Sequence, residues 1–433
     1  MFRMKVSRYL LLIPAILVLA ITLKGCDEIF GTKGDSVTDE IFEEGRQDPT
    51  LILDEVGYAA LLPFWDQFDQ PTDVMVGYDE LVYVTDASGL HILDRAGRLF
   101  RTIELDGAQR VLQDRLLNVY VSARYDTIVE VVDPTITWNL PAVFKFENPG
   151  SGSTVVLDTL IMPFDDASRS TPGSQRRRLD PTRTDNADKI EITGLGILYD
   201  NTLYMARRGP RNITGQPEAP DNTILIYGPV LDGQGNPTGK MRNVGQIRAL
   251  NPNVPSLISA VGISDLATFV AAPQRENMTE DRSFLLAQGD PERDIPFRVL
   301  WVNAEFTPDG LEYRPRSQLL AQDTARADRF LYEEDRFVRP SGIAYSADAR
   351  GHIFVTDAGT DSLYLFQSNG QEGVVPPAGS TSRKAINVSF GGTGAGERQF
   401  NEPSGVAYFR QVVYVADKGN NRIARYKLNT DFE

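Results

Sequence analysis

A segment that occurs twice limits what this chain can fold into. Phe337-Val338-Arg339-Pro340-Ser341-Gly342-Ile343-Ala344-Tyr345 returns as Phe400-Asn401-Glu402-Pro403-Ser404-Gly405-Val406-Ala407-Tyr408. The agreement continues downstream. His352-Ile353-Phe354-Val355-Thr356-Asp357-Ala358-Gly359 aligns with Val412-Val413-Tyr414-Val415-Ala416-Asp417-Lys418-Gly419, and Asp361-Ser362-Leu363-Tyr364-Leu365-Phe366 with Asn421-Arg422-Ile423-Ala424-Arg425-Tyr426. A third copy starts at Gln70-Pro71-Thr72-Asp73-Val74, with Asp73 where the others have glycine, and reaches Leu81-Val82-Tyr83-Val84-Thr85-Asp86. Self-similarity of this kind marks one supersecondary unit used several times. Each copy is a set of short β-branched or aromatic runs cut by Gly, Asn, Asp or Ser, which is the pattern of an antiparallel meander. A single four-stranded meander cannot bury both of its faces, whereas radial stacking of several buries them and shortens the exposed edges.

These residues resemble the NHL repeat, whose pattern is Pro-x-Gly-Val, a strand ending Tyr-Val-x-Asp, then Asn-x-Arg-Ile. The resemblance is close at residues 400–428, good at 337–366 and partial at 70–105, and between about 106 and 320 the motif is absent. It implies an all-β, six-bladed β-propeller of four-stranded antiparallel blades. In the middle of the chain, strand and turn rhythm alone yields three more units. The second uses residues 110–113, 117–123, 142–146 and 154–161, and the third 190–198, 203–206, 223–227 and 241–247. The fourth uses residues 263–271, 283–287, 297–302 and 312–320. The last unit runs out of chain after its third strand, near Leu428. Its fourth strand is expected from the N-terminal side, because Ala59 to Trp65 followed by Phe68-Asp69-Gln70-Pro71 mirrors Val388 to Gly391 followed by Phe400-Asn401-Glu402-Pro403.

Ahead of this domain the chain reads as an export and anchoring device. Arg3, Lys5 and Arg8 precede an almost wholly apolar run from Leu10 to Leu23. That is the order of a secretory signal, and the run is short of the roughly 20 residues that span a bilayer as a helix. Leu23-Lys24-Gly25-Cys26 resembles the bacterial lipobox, which implies acylation of Cys26, although Lys24 departs from the usual small or apolar residue. The expected organisation is a lipoprotein signal over residues 1–25, an acidic, flexible tether over 26–50 and the propeller over 51–433. The implied location is the bacterial cell envelope, lipid-anchored and facing the periplasm or the exterior.

Composition narrows the partners. With 44 basic and 59 acidic side chains and a formal charge of -15, most of the surface repels a polyanion, so nucleic acid is excluded. A zinc lyase site of the kind found in some propellers would want several imidazoles, and His91 and His352 are the only two in the chain, in different blades. Cys26 is the single cysteine, so once it is acylated no thiol nucleophile remains. Gly391 to Gly396 precedes a propeller strand and not a helix, so it reads as an interblade connection and not a phosphate loop.

On a propeller, the strand 2 to 3 loops and the blade-to-blade connections share one face. Long insertions concentrate there, at residues 124–141, 163–189, 207–222 and 321–338, while the opposite face has mostly tight turns. Long loops on a rigid scaffold are where binding residues commonly sit. The candidate binding residues on that face are Asp86, Arg207, Arg208, Asp357, Asp417 and Arg422. Asp86, Asp357 and Asp417 each end a second strand. They can either ring the axis as ligands for a divalent cation such as calcium or accept hydrogen bonds from turn amides and from an arginine such as Arg422. The dense basic stretch with Arg176, Arg177, Arg178 and Arg183 reads as a solvated loop. The expected function is a binding or scaffold propeller for a protein, peptide or glycan, without a cofactor. A metal-dependent lactonase or lyase with axial carboxylates is the alternative.

Overall fold

The computed structural model describes residues 56–128, 135, 137–161, 190–209, 222–270, 280–346, 348–378, 380 and 382–432. The export segment, Cys26, the tether, the Arg176–Arg178 stretch and the centre of the 207–222 insertion lie outside the described residues.

Six four-stranded antiparallel sheets make up the described chain. Blade 1 holds β2 (Asp73–Val76), β3 (Val82–Asp86), β4 (Gly89–Leu93) and β5 (Leu99–Glu104). Blade 2 holds β6 (Arg110–Gln113), β7 (Val119–Ile128), β8 (Thr137–Phe146) and β9 (Val156–Ile161). Blade 3 follows with β10 (Glu191–Ile197), β11 (Leu203–Arg208), β12 (Thr223–Leu231) and β13 (Pro237–Gln246). Blade 4 has β14 (Ile263–Thr268), β15 (Phe284–Gln288), β16 (Val299–Thr307) and β17 (Gly310–Pro315). Blade 5 has β18 (Pro340–Tyr345), β19 (Ile353–Asp357), β20 (Ser362–Phe366) and the two-residue β21 (Phe390–Gly391).

Blade 6 contains β22 (Pro403–Phe409), β23 (Val412–Asp417) and β24 (Arg422–Leu428), and its fourth strand is β1 (Tyr58–Ala60). Tyr58 pairs with Leu428 and Ala60 with Tyr426, and Trp65 bridges Ile423 further along. The ring is therefore closed by sheet pairing between the two ends of the described chain.

The inner strands are buried on both faces, as the unbroken Val-Tyr-Val-Thr-Asp run of β3 requires, whereas the outermost β5 alternates with exposed positions. Apolar side chains from neighbouring sheets meet between the blades, for example Phe354 stacked on Tyr408 at 5.3 Å and Phe269 edge-on to Tyr345 at 4.7 Å.

A chain of hydroxyl contacts runs around the inner ends of the first strands. Thr193 donates to the Ile263 carbonyl at 2.8 Å, Ser264 to Pro340 at 2.6 Å and Ser404 to Pro71 at 2.8 Å. Ser341 donates to Pro403, and Thr72 to Ala108 at 3.1 Å. Each hydroxyl thus ties its blade to the next, which is what the serine of the repeated Pro-Ser-Gly accomplishes. Blade 2 has Gln109 at this position.

Strand limits in the middle differ from the sequence expectation. Residues 317–320, expected to finish the last strand of blade 4, form a 3-10 turn after Pro315. The β7–β8 hairpin is longer than expected because pairing continues from Ser122 to Val143 out to Ile128 and Thr137. On the face expected to carry mostly tight turns, residues 367–389 of blade 5 form a long excursion between β20 and β21. The 321–338 insertion packs against the scaffold, with Phe330, Leu331, Tyr332 and Phe337 buried and the Leu331 amide donating to Gly370 at 2.8 Å.

Candidate functional site

The innermost residue of each first strand follows the hydroxyl position, and these six residues decide what occupies the axis. They are Asp73, Arg110, Gly194, Asp265, Gly342 and Gly405, in blade order. At the last two positions a side chain has no room: a Cβ on Gly342 would lie 2.9 Å from the Gly405 Cα, and one on Gly405 2.9 Å from the Asp73 Cα. The space spared by the glycines is filled by Arg110.

The Arg110 guanidinium closes the axis. Its Nε donates to the Thr193 carbonyl at 2.7 Å and its Nη1 to Ser404 at 3.0 Å. Nη2 donates to Ser264 at 2.8 Å and to Ser341 at 2.7 Å. One planar fork therefore satisfies first-strand carbonyls from four blades, a task suited to arginine because its five N–H donors are fixed in one plane. Asp73 and Asp265 flank it, with oxygens 3.6 Å from Nη1 and 3.8 Å from Nε. The two carboxylates also bind blades together, since Asp73 accepts from the Val111 amide at 3.1 Å and Asp265 from Ile343 at 2.8 Å.

Burial pushes the Asp73 carboxyl up to about 7, the Arg110 charge opposing and the Asp265 carboxylate reinforcing the shift. Asp265 is raised for the same first reason, burial, again opposed by Arg110. The folded state thus keeps a proton on Asp73 that an unfolded chain releases near pH 4. The associated stability is present below about pH 4 and is lost as pH rises through about 7. Asp73→Asn removes this dependence, so its melting temperature is expected to gain on the wild type between pH 4 and pH 8 in parallel thermal scans. A constant difference across that range would show that Asp73 is already ionised in the fold.

Above Arg110, on the face of the blade-to-blade connections, opens a funnel of about 310 Å³. Its wall includes Gln109, Glu191, Arg208, Arg339, Glu402 and Lys418. Below Arg110 a narrower space of about 90 Å³ is lined by Met75, Leu112, Leu266, Ile343 and other first-strand residues. In the funnel Arg208 is paired with Glu191 at 2.5 Å and Arg339 with Glu402 at 2.9 Å.

Of the residues expected to bind, Arg208 lines this funnel. Asp86, Asp357 and Asp417 are buried at the ends of their second strands. Asp86 accepts from the Asp69, Ser88 and Gly89 amides, and its other neighbour is His91 at 2.8 Å. Burial would raise its carboxyl, but the hydrogen bonds from His91, Asp69 and Ser88 outweigh it and hold the group well below the ordinary range. Asp357 accepts from the Val338, Arg339 and Gly359 amides and so fixes the connection that leads into β18. Asp417 accepts from the Asn401 amide at 2.8 Å and from Arg422 Nε at 2.7 Å, within its own blade, and burial raises its carboxyl. Arg422 spends its other donors on the carbonyls of Ala395, Gly396 and Gln399. Arg207 is fully buried on β11.

The axial group of Asp73, Arg110 and Asp265 was not singled out from the sequence. Its signal is the substitution of charged residues at the repeat's glycine position, visible at Asp73 and hidden in blades 2 and 4, where no Pro-Ser-Gly flags the register. Among the described residues, no three His, Cys, Asp or Glu side chains stand close enough to hold a metal ion.

Residues 400–426 match the NHL repeat family model. A search of curated proteins finds no match. Among solved structures, the chain is similar to a protein of unknown function from Bacteroides thetaiotaomicron, at 15% identity over 88% of this chain and 73% of that one, with a TM-score of 0.46. An auxiliary nutrient binding protein from Bacteroides ovatus aligns at 10% identity over 89% and 75%, with a TM-score of 0.44. A gluconolactonase from Xanthomonas campestris aligns at 10% identity over 89% and 94%, also with a TM-score of 0.44. The chain is a six-bladed β-propeller whose sixth blade is an NHL repeat.

Proposed function

We propose that this protein is a binding propeller, tethered to a bacterial membrane through acylated Cys26 and recognising a ligand on its connection-bearing face, with the axial funnel as the centre of the site. The observation that carries this reading is the closure of the axis by Arg110. A guanidinium stands where an axial cation would stand, and it already uses first-strand carbonyls of four blades. Its fixed positive charge opposes a divalent ion at that point. The open, polar funnel and the loop face around it support a glycan, a peptide or a segment of a protein as the ligand, and the basic, apolar and lipobox-like order of residues 3–26 supports the tether.

The Cys26→Ser chain supplies the test. It is expected in the soluble envelope fraction where the wild type partitions with membranes. Metal analysis of that material is expected to find no stoichiometric divalent ion, and its melting temperature should not respond to calcium, zinc or a chelator. A stoichiometric ion whose removal lowers the melting temperature would establish the metal-dependent lactonase or lyase instead.

A further inference from the structure

We propose that the axial funnel takes a small organic carboxylate, of the size of one or two sugar rings or amino-acid residues. The inference rests on the funnel being the ligand site and adds the chemistry of what enters it.

Size sets the first limit. A cavity of about 310 Å³ falls at the lower end of the range of small-molecule sites, roughly 300 to 1,000 Å³, and is far too small for a folded partner. Charge sets the second. The protein carries a formal charge of -15, yet the funnel is lined by four cations, Arg110, Arg208, Arg339 and Lys418, against two carboxylates, Glu191 and Glu402. Both carboxylates are already engaged, Glu191 by Arg208 and Glu402 by Arg339. The floor is the Arg110 guanidinium, whose N–H groups are largely committed to the four first-strand carbonyls and which Asp73 and Asp265 flank, so what it offers a negative group descending the axis is its positive charge.

Two side chains in the wall have donors to spare. Lys418 follows Asp417 at the top of blade 6, is half-buried, and its ammonium makes no hydrogen bond or ion pair with any described residue. Gln109 occupies the position at which the other five first strands carry a hydroxyl committed to the next blade, and its carboxamide likewise has no partner among the described residues. An ammonium and an amide in the wall of one cavity floored by a guanidinium match one carboxylate with polar atoms beside it. A charge-assisted hydrogen bond from the Lys418 ammonium is of the strong kind. The Arg339–Glu402 pair is half-exposed at the rim and so is cheap to rearrange around an incoming acid. One unpaired ammonium suits a singly charged group better than a doubly charged phosphate, because Arg208 and Arg339 already have carboxylate partners.

The test is calorimetric titration of the purified chain with D-glucuronate, N-acetylglutamate, D-glucose and inorganic phosphate at low and high salt. Lys418→Ala and Gln109→Ala are titrated beside the wild type after thermal melts show that they fold. One or both acids are expected to bind, about ten-fold or more weaker in Lys418→Ala and weaker in high salt, as loss of a charge-assisted hydrogen bond predicts. Glucuronate binding alone identifies a sugar acid, and N-acetylglutamate binding alone an acidic peptide end. Glucose binding as tightly as glucuronate, phosphate binding more tightly than either acid, or Lys418→Ala binding unchanged would overturn the carboxylate while leaving the funnel a ligand site. Failure of both acids to bind at millimolar concentration overturns the proposal outright. The metal analysis of the Cys26→Ser chain then decides separately whether the underlying reading falls with it.

Discussion

Arg110→Met is expected to lower the melting temperature by roughly 10 °C or more, a large effect for one side chain in a chain of this size. The substitution keeps much of the apolar stem and deletes the fork. Four carbonyls, of Thr193, Ser264, Ser341 and Ser404, lose their donor at once. Asp73 and Asp265, 9% and 7% exposed, lose the cation that favours their ionised forms, so each must take up a proton or stand as an unpaired buried charge. Removing one partner of a buried ion pair costs about 3 to 5 kcal/mol. Each carbonyl stranded away from water adds about 1 to 3 kcal/mol, reduced here because water can descend through the funnel. Lysine in place of Arg110 retains the charge but not the planar set of donors, so Arg110→Lys should fall between the two. Adding Asp73→Asn and Asp265→Asn to Arg110→Met should recover part of the loss, since neither position can then carry an unpaired charge. Thermal and urea denaturation of the four chains measure this coupling directly. A melting temperature for Arg110→Met within about 2 °C of the wild type would mean that water substitutes for the guanidinium and that the axis is not held by it.

A second large effect is expected where the ring closes. A chain beginning at Phe64 lacks β1, and it should fail to give a stable monomer, running as aggregate or melting at least 10 °C or so lower. Tyr58, Ala59, Ala60 and Leu61 are each 3% exposed or less, so their removal opens a core cluster that includes Phe354, Phe400 and Tyr426. Burying one tyrosine or leucine side chain is worth roughly 1.5 to 3 kcal/mol, and two of these four are of that kind. The backbone of β24 would also lose its partner strand and become an open edge, a template for pairing with a second chain. Light scattering after size exclusion, beside a thermal scan, separates the outcomes. A monomer with wild-type melting would show that three strands suffice for blade 6 and that closure is dispensable.

Much of the architecture was legible because sheet pairing is periodic and leaves a local record. Blades 5 and 6 announced themselves by the recurring Pro-Ser-Gly, blade 1 by Val82 to Asp86, and the missing fourth strand by the mirror between residues 59–71 and 388–403. Blades 2 to 4 were found from rhythm alone, and there the strand ends drifted. Arg316 to Leu320 look like a strand tail but turn away into a 3-10 segment, because blade 4's last pairing ends with Pro315 opposite Val302. The site was less legible for a different reason. Asp86, Asp357 and Asp417 each accept from an amide 16 to 18 residues upstream, inside their own repeat, an arrangement the repeated segment can suggest. Arg110 depends on carbonyls from blades 3, 4, 5 and 6, up to 294 residues distant, and no window of sequence contains that convergence.

The register of β1 fixes where the described chain enters and leaves the ring. Tyr58 lies beside Leu428 and Trp65 beside Ile423, so β1 climbs from the far end of blade 6 toward the end where β2 begins. The polypeptide therefore joins the ring on the underside, away from the funnel. Asn429 to Asp431 leave on that same side, and Gly57 and Asn429 bond to one another there. Both ends of the described chain thus lie on the face opposite the mouth above Arg110.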